Sequence, residues 1–198
     1  MNGREKILQA AAELFGEVGF DAASTREIAE RSVVNKALIH YHFQSKEALF
    51  ECVLDRYYEQ LNQTLLKVLE GPGTIRERLV LLVDVYMDFL SRNRNFSKIV
   101  QRESAGGKHL GRIQGHLQDM FRTGMRLLEG TYPQTRAGDL AAPHVLISYY
   151  GMIVSYFTYS GVLKLLLGKN PLARKNLERR KQHLHRMIDL LIEALDDE

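Results

Sequence analysis

The segment from Ser24 to Lys46 carries polar side chains of the kinds that contact phosphates and base edges. Ser24 is a candidate N-cap residue, and Glu27 stands three residues later, which together predict a capping box. Thr25 and Arg26 would then occupy the first turn of a helix. There a hydroxyl, a guanidinium and free backbone N–H groups can bind a phosphate. The plain alternative is an ordinary cap with a solvated arginine.

A second short helix is predicted from about Lys36 to Phe43, with Asn35 placed either to cap it or to contact a base. An aromatic residue beside two histidines and a lysine is unusual on a short helix that serves only to pack a globular core. The second helix of a helix-turn-helix carries such side chains because it enters the DNA major groove. The plain alternative for these residues is a packing tyrosine with solvated or hydrogen-bonded histidines. The predicted contacts of this helix and of the start of the next are Asn35, Lys36, Ala37, Leu38, His40, Tyr41, His42 and Lys46.

Three successive blocks of sequence extend this pattern. REKILQAAAELFGEVGFDAAS precedes T-R-E-I-A-E-R, which is followed by N-K-A-L-I-H-Y-H-F-Q-S-K-E-A-L. In residue type and spacing this stretch resembles the TetR/AcrR family of bacterial transcriptional regulators, over about the first 50 of 198 residues. The resemblance implies a helix-turn-helix head that binds DNA, a helical body that binds an effector, and a dimer.

Two positions depart from the family pattern. Val33 stands where the family usually has a glycine, which tolerates positive φ at the turn. A β-branched residue at positive φ costs about 1–2 kcal/mol. Leu38 and His40 stand where the family often has threonine and tyrosine. The helix-turn-helix prediction is unaffected, but the preferred DNA sequence cannot be inherited from the family.

Composition indicates an ordinary globular protein with a hydrophobic fraction of 45% and a charged fraction of 26%. The net charge of +3 argues only weakly for nucleic acid, since residues 1–50 contain six Lys or Arg and seven Asp or Glu. No apolar run approaches the ~18 residues that span a bilayer, and the N-terminal residues do not resemble a signal peptide. The single cysteine, Cys52, excludes an intramolecular disulfide. We therefore expect a cytoplasmic, nucleoid-associated protein with no membrane partner.

Helical periodicity dominates the rest of the chain, and no strand pattern or repeat interrupts it. Gly71-Pro72-Gly73 should end a long helix that begins at Ser45, and a second long apolar helix is predicted over residues 141–167. The predicted fold is all-α, with an N-terminal three-helix helix-turn-helix head joined by a long helix to a C-terminal helical body. We place the DNA-binding domain at residues 1–46 and the effector-binding and dimerisation domain at 47–198, with the boundary inside the 45–69 helix.

Aromatic and methionine residues concentrate in the predicted body. Most of them should be plain core, but several tyrosine hydroxyls in an apolar bundle need hydrogen-bond partners. A ligand pocket with apolar walls and a few polar groups would use such residues. The predicted effector-binding residues are Tyr86, Met120, Tyr149, Tyr150 and Tyr156.

The last predicted helix carries an apolar stripe at 4-3-4 spacing. Paired with the 141–167 helix it could form a four-helix bundle with a second copy, although burial within one chain is the alternative. The predicted interface residues are Leu177, Leu184, Ile188, Leu191 and Leu195. The basic run from residue 169 to 186 is expected to be a solvated face, with an acidic partner as the alternative.

No nucleophile–base arrangement, phosphate-binding loop or dinucleotide motif is present, so we expect neither an enzyme nor a cofactor. His40 and His42 are two residues apart and do not share a helix face. His109 and His116 could face the same way, but no carboxylate or cysteine completes a metal site, so the histidines are expected to be solvated or hydrogen-bonded. The sequence thus favours a homodimeric, ligand-responsive transcriptional regulator. It would be a repressor that a small apolar or aromatic effector releases from a palindromic operator in double-stranded DNA. The alternative is a helical carrier protein whose helix-turn-helix is non-functional.

Overall fold

The computed structural model describes residues 2–197, which form ten α-helices and no strand. A short 3₁₀ turn over Pro133–Arg136 is the remaining helical element in this range. The α-helices are α1 (Gly3–Val18), α2 (Thr25–Ser32), α3 (Lys36–Phe43), α4 (Lys46–Leu69), α5 (Ile75–Arg92), α6 (Arg94–Ser104), α7 (Leu110–Thr131), α8 (Ala142–Thr158), α9 (Ser160–Leu167) and α10 (Arg174–Asp196). The predicted all-α fold is confirmed.

The helices group into two compact packing units. The first contains Met1–Gln60 and Asn93–His116, and the second contains Leu61–Arg92 and Leu117–Glu198. These units differ from the predicted division after residue 46, because α6 and the start of α7 pack with the N-terminal helices. The division into a DNA-binding domain (1–46) and an effector-binding and dimerisation domain (47–198) stays a prediction.

An aromatic cluster forms the centre of the first packing unit. The ring of Phe50 lies 4.9 Å from that of Phe15 and 5.0 Å from that of Phe20. Arg102 of α6 donates to the carbonyl oxygens of residues 15, 16 and 17, at the end of α1. Since the last carbonyls of a helix have no partner within it, this arginine caps α1 and fixes it to α6.

The second packing unit is built on the apolar faces of its helices. Leu128, Ala142 and Val145 form a buried cluster where α7 meets α8. Polar pairs join α10 to α5, with the His185 imidazole 2.8 Å from Asp84 and the Lys181 ammonium 2.7 Å from Asp88.

One predicted helix is wrong in extent. The 141–167 segment breaks at Tyr159 into α8 and α9, whose axes differ by 76°. Ser160 and Gly161 follow the break, and such a pair weakens a helix and permits a sharp kink. Within residues 2–197 no single helix is both long and apolar enough to cross a bilayer. Only α8 and α9 taken together reach that length and apolar composition, and they form a bent pair.

Candidate nucleic-acid interface and ligand cavity

The N-terminus of α2 is built as the sequence predicts. The Ser24 hydroxyl accepts from the Glu27 backbone N–H at 3.1 Å, and the Glu27 carboxylate accepts from the Ser24 N–H at 3.2 Å. The capping box leaves the N–H groups of Thr25 and Arg26 without a partner within the helix. The Arg26 guanidinium is exposed, although it pairs with Glu30 at 3.0 Å.

The turn between α2 and α3 contains a left-handed residue. Val33 has φ 55° and ψ 48° and is 85% exposed. Its N–H donates to Glu30, and the N–H of Val34 donates to Ala29. The positive φ implied by the family's glycine at this position is therefore confirmed.

Two buried residues of α3 determine which side of the helix faces solvent. Ile39 and Phe43 lie one turn apart and are buried, so the side chains between them turn outward. Tyr41 is 78% exposed, and His40 is exposed as well. A histidine and a tyrosine are thus presented to solvent on one short helix.

The other predicted contacts on α3 divide into two groups. Lys36 and Ala37 are exposed. Asn35 caps α3, since its side-chain oxygen accepts from the Ala37 N–H at 2.9 Å. Leu38 and His42 are half-buried, and Leu38 packs against Gly3 at the start of α1.

Lys46 is occupied by the protein itself. Its ammonium donates to the carbonyl oxygens of Phe20 and Ala23, both at 3.0 Å, and lies 3.4 Å from that of Asp21. It also lies 4.4 Å from the centre of the Phe20 ring. These contacts fix the α1–α2 loop to α4. The predicted phosphate contact of Lys46 stays a prediction, and it would require the ammonium to leave these carbonyl groups.

An open groove lies beside these residues within the first unit. Its volume is about 360 Å³, and its walls include Thr25 at the start of α2, Lys36 and His40 of α3, and Ser45 before α4. A hydroxyl, a lysine and an imidazole therefore converge on one side of the helix-turn-helix. This arrangement can bind an anionic backbone.

The second packing unit contains an apolar cavity of about 90 Å³ between the end of α4, α5, α7, α8 and α10. Four of the five residues predicted to bind an effector line it, namely Tyr86, Met120, Tyr149 and Tyr150. Tyr156 does not line it. Its hydroxyl donates to the Pro171 carbonyl at 3.0 Å, and Arg180 lies over its ring.

Sequence reasoning missed most of the aliphatic wall of this cavity. The missed residues include Leu65, Leu79, Leu82, Leu146 and Ile153. They belong to the same helical stripes as the surrounding core, so periodicity alone does not distinguish a cavity wall from packed core.

The predicted dimer stripe on α10 is largely core of the same chain. Leu184, Ile188 and Leu195 are at most 1% exposed within a single copy, and Leu177 and Leu191 are half-buried. The assignment of the buried three to an interface is wrong, because they already pack inside the second unit. Other large apolar side chains of α8, α9 and α10 are exposed, together with the residue between α8 and α9. We call this set the α8–α10 apolar surface. It consists of Ile147, Tyr159, Val162, Leu165, Leu166, Leu167 and Leu190.

Three histidines are hydrogen-bonded, as predicted. His109 is buried with Glu103 at 3.0 Å, His116 lies 2.8 Å from Asp55, and His185 pairs with Asp84. Over residues 2–197, no three His, Cys, Asp or Glu side chains are grouped so that they could hold a metal ion.

Known proteins resemble both the head and the whole chain. The family model for bacterial regulatory proteins of the tetR family matches residues 7–53. The HTH-type transcriptional repressor Rv3405c of Mycobacterium tuberculosis is 33% identical over 153 residues, which are 75% of this chain and 73% of that protein. The HTH-type transcriptional activator FasR of Mycolicibacterium smegmatis is 32% identical over 49% of this chain, and the match spans 44% of FasR. The match to YttP of Bacillus subtilis likewise spans only 49% of that protein.

A solved structure shows the same fold. The TetR/AcrR-family regulator from Aquifex aeolicus superimposes with a TM-score of 0.75 at 21% identity, over 96% of this chain and 99% of that one. Its likeness concerns the fold alone. The match of the family model to residues 7–53, together with the repressor matched over 73% of its length, shows that this chain belongs to the TetR family of bacterial regulatory proteins.

Proposed function

We propose that this chain is a homodimeric, ligand-responsive transcriptional regulator that represses by occupying a palindromic operator. The observation that carries the proposal is the outward face of α3, where Lys36, His40 and Tyr41 are exposed on a helix anchored from beneath. Such a helix can enter a major groove and place these side chains on phosphates and base edges.

The proposed DNA contacts follow from the geometry of the first unit. The Thr25 hydroxyl and the free N–H groups at the start of α2 would bind one phosphate, and Lys36 would bind a phosphate or a guanine edge. Asn35 and Lys46 would position the elements, since both are engaged within the protein. Arg26 would have to exchange Glu30 for a phosphate.

The proposed dimer would cover the α8–α10 apolar surface with a second copy. TetR-family regulators act as dimers, and α9 exposes three consecutive leucines, Leu165, Leu166 and Leu167, which a second copy would cover. No Asp, Glu, Lys or Arg lies between Asp139 and Lys164, so α8 offers an uncharged face. A twofold pair would bring two α3 helices to successive major grooves, about 34–36 Å apart.

The proposed effector would occupy the cavity of the second unit. It can shift the DNA-binding equilibrium only through a difference in its affinity for the bound and released states. Repression is favoured over activation because the relative matched over most of its length is described as a repressor. FasR, an activator, is matched over less than half of its length.

A genomic binding-site selection tests the proposal. A palindromic site should be recovered, and binding to it should weaken with salt, with a moderate slope. The rival carrier function is favoured by the near-neutral head, and it predicts no affinity for any duplex at low salt. That second result would end the regulator proposal.

A further inference from the structure

The wall of the cavity carries no charge. All eighteen lining residues are uncharged, and glycine, methionine, aliphatic and aromatic side chains make up the whole set. An ionised ligand group would therefore be desolvated there without an opposite charge, which is strongly unfavourable.

A negative charge, that of Asp189, acts on one tyrosine of the wall. Asp189 adds to the effect of burial and helps to raise the pKa of Tyr149 to about 12. The Asp189 carboxylate is held by Arg76 at 2.6 Å, so neither group is free to pair with a ligand. A carboxylate in the cavity would thus gain no cation from this pair.

Two tyrosines that line the cavity have hydroxyl groups available for hydrogen bonding. Within residues 2–197 neither the Tyr149 nor the Tyr150 hydroxyl has a hydrogen-bond partner, whereas the Tyr156 hydroxyl is bonded to Pro171. Burial raises the pKa of Tyr149 and of Tyr150, so both stay protonated and able to donate. Both tyrosines are half-buried, and an oxygen of a bound ligand would supply the missing hydrogen-bond partner.

The cavity also limits size. Its volume of about 90 Å³ is well below the ~300–1,000 Å³ of a drug-sized pocket. Leu146 of α8 packs closely against Gly124 of α7, since a Cβ at position 124 would lie 3.1 Å from both terminal carbons of Leu146. This close contact between the two helices keeps the cavity small. A compact molecule fits this state, and a larger one requires the α7 and α8 side chains to move apart.

We propose that the cavity selects a small uncharged molecule, apolar apart from one oxygen group such as an alcohol, phenol, ketone or ester, that pairs with Tyr149 or Tyr150. Carboxylates and amines of the same skeleton are rejected. This assignment of the ligand class rests on the proposed function, because it describes the effector of the same site.

A six-carbon series tests the selection with the intact protein. 1-Hexanol, hexanoate and hexylammonium share one chain and differ in charge, and binding is followed at pH 8 by NMR of ¹³C-methyl methionine. The Met120 methyl lines the cavity, whereas Met87 is buried away from it and serves as the internal reference. Hexanol should shift Met120 in a saturable way, with at least tenfold weaker effects from the two ions. Equal or tighter binding of either ion, or no saturable shift with hexanol, would overturn the proposal.

Matched variants test the hydroxyls. Combining Tyr149→Phe with Tyr150→Phe should weaken hexanol about two- to tenfold, the value of one net hydrogen bond, and should leave toluene binding unchanged. Tyr132→Phe, which lies outside the cavity, is the control. An unchanged hexanol affinity in the double variant would remove the hydroxyls from the assignment and overturn it.

Titration of operator DNA separates the two proposals. Release by hexanol but not by hexanoate supports both. Selective hexanol binding with no effect on DNA supports the ligand class and contradicts the ligand-responsive regulator.

Discussion

Arg112, in the first turn of α7, donates from Nε to Oδ1 of Asp55 and from Nη2 to Oδ2 of the same carboxylate in α4. His116, one turn further along α7, places its Nε2 2.8 Å from Oδ1. Two helices of the first unit are therefore joined through a single partly buried carboxylate. Hydrogen bonding from Arg112 holds the pKa of Asp55 below its usual range and outweighs the opposite effect of burial.

Asp55→Asn should lower the free energy of unfolding at pH 7 by about 1.5–3 kcal/mol, the value of hydrogen bonds to a charged group. Because the folded pKa of Asp55 is depressed, its contribution is present above the unfolded value and is lost as the pH falls through the folded pKa. The difference between the wild type and the variant should therefore narrow below about pH 4. Urea unfolding across pH 2–7 measures this difference in the free energy of unfolding. Glu59→Gln, at an exposed α4 position, is the control, and a gap that widens toward acid would contradict the role of Asp55.

Val33→Gly should stabilise the protein, because glycine adopts φ near 55° without the steric cost that valine carries. The gain should be about 0.5–1 kcal/mol, since the greater freedom of glycine in the unfolded chain offsets part of the relief. Val34→Gly is the matched control and should destabilise, because position 34 has no positive φ and is less exposed. Thermal melts measure both. A lower melting temperature for Val33→Gly would show that the valine side chain has a packing role at the turn.

Features fixed by neighbouring residues could be predicted from the sequence. The Ser24–Glu27 capping box and the end of α4 before Gly71-Pro72-Gly73 depend on side chains a few residues apart, and the structure has both. The bounds of α3 were predicted correctly for the same reason. Local helix signals are short-range, so they survive without knowledge of the fold.

Features fixed by distant parts of the chain could not be predicted. The ammonium of Lys46 donates to carbonyl groups 23 to 26 residues away, and no residue near position 46 indicates these contacts. The stripe through Leu184 and Ile188 shows that one face of α10 is buried. It does not show whether the same chain or a second copy buries that face. Tyr149 and Tyr156 look alike in sequence, yet only Tyr149 lines the cavity.

Lys36 and Lys46 offer a matched pair of substitutions that separates DNA binding from structure. Lys36→Met should leave stability unchanged and weaken operator binding, with the salt dependence of log K falling by about 1 for each phosphate that the variant no longer neutralises. Lys46→Met keeps the aliphatic stem but leaves the Phe20 and Ala23 carbonyls without their donor. It should cost about 1–3 kcal/mol of stability.

Affinity measured across a salt series, together with urea unfolding, distinguishes the two variants. Lys67→Met, at an exposed position in the second unit, is the control for charge alone. If Lys46→Met is as stable as the wild type and lowers the salt dependence, the ammonium contacts DNA after all. If Lys36→Met leaves binding and its salt dependence unchanged, α3 does not present Lys36 to the duplex.

The proposed dimer predicts opposite consequences for two sets of leucines. Leu165 is 83% exposed and Leu166 74% exposed, so Leu165→Glu with Leu166→Glu should leave the monomer folded and shift the dimer toward monomer. Leu184 is fully buried in one chain, and Leu184→Ala should instead cost about 2–5 kcal/mol of stability. Light scattering after size exclusion measures mass, with Leu81→Glu as an exposed control on α5. A double variant that stays dimeric at low micromolar concentration would exclude these α9 leucines from the interface, because two buried glutamates per copy could not be desolvated there without partners.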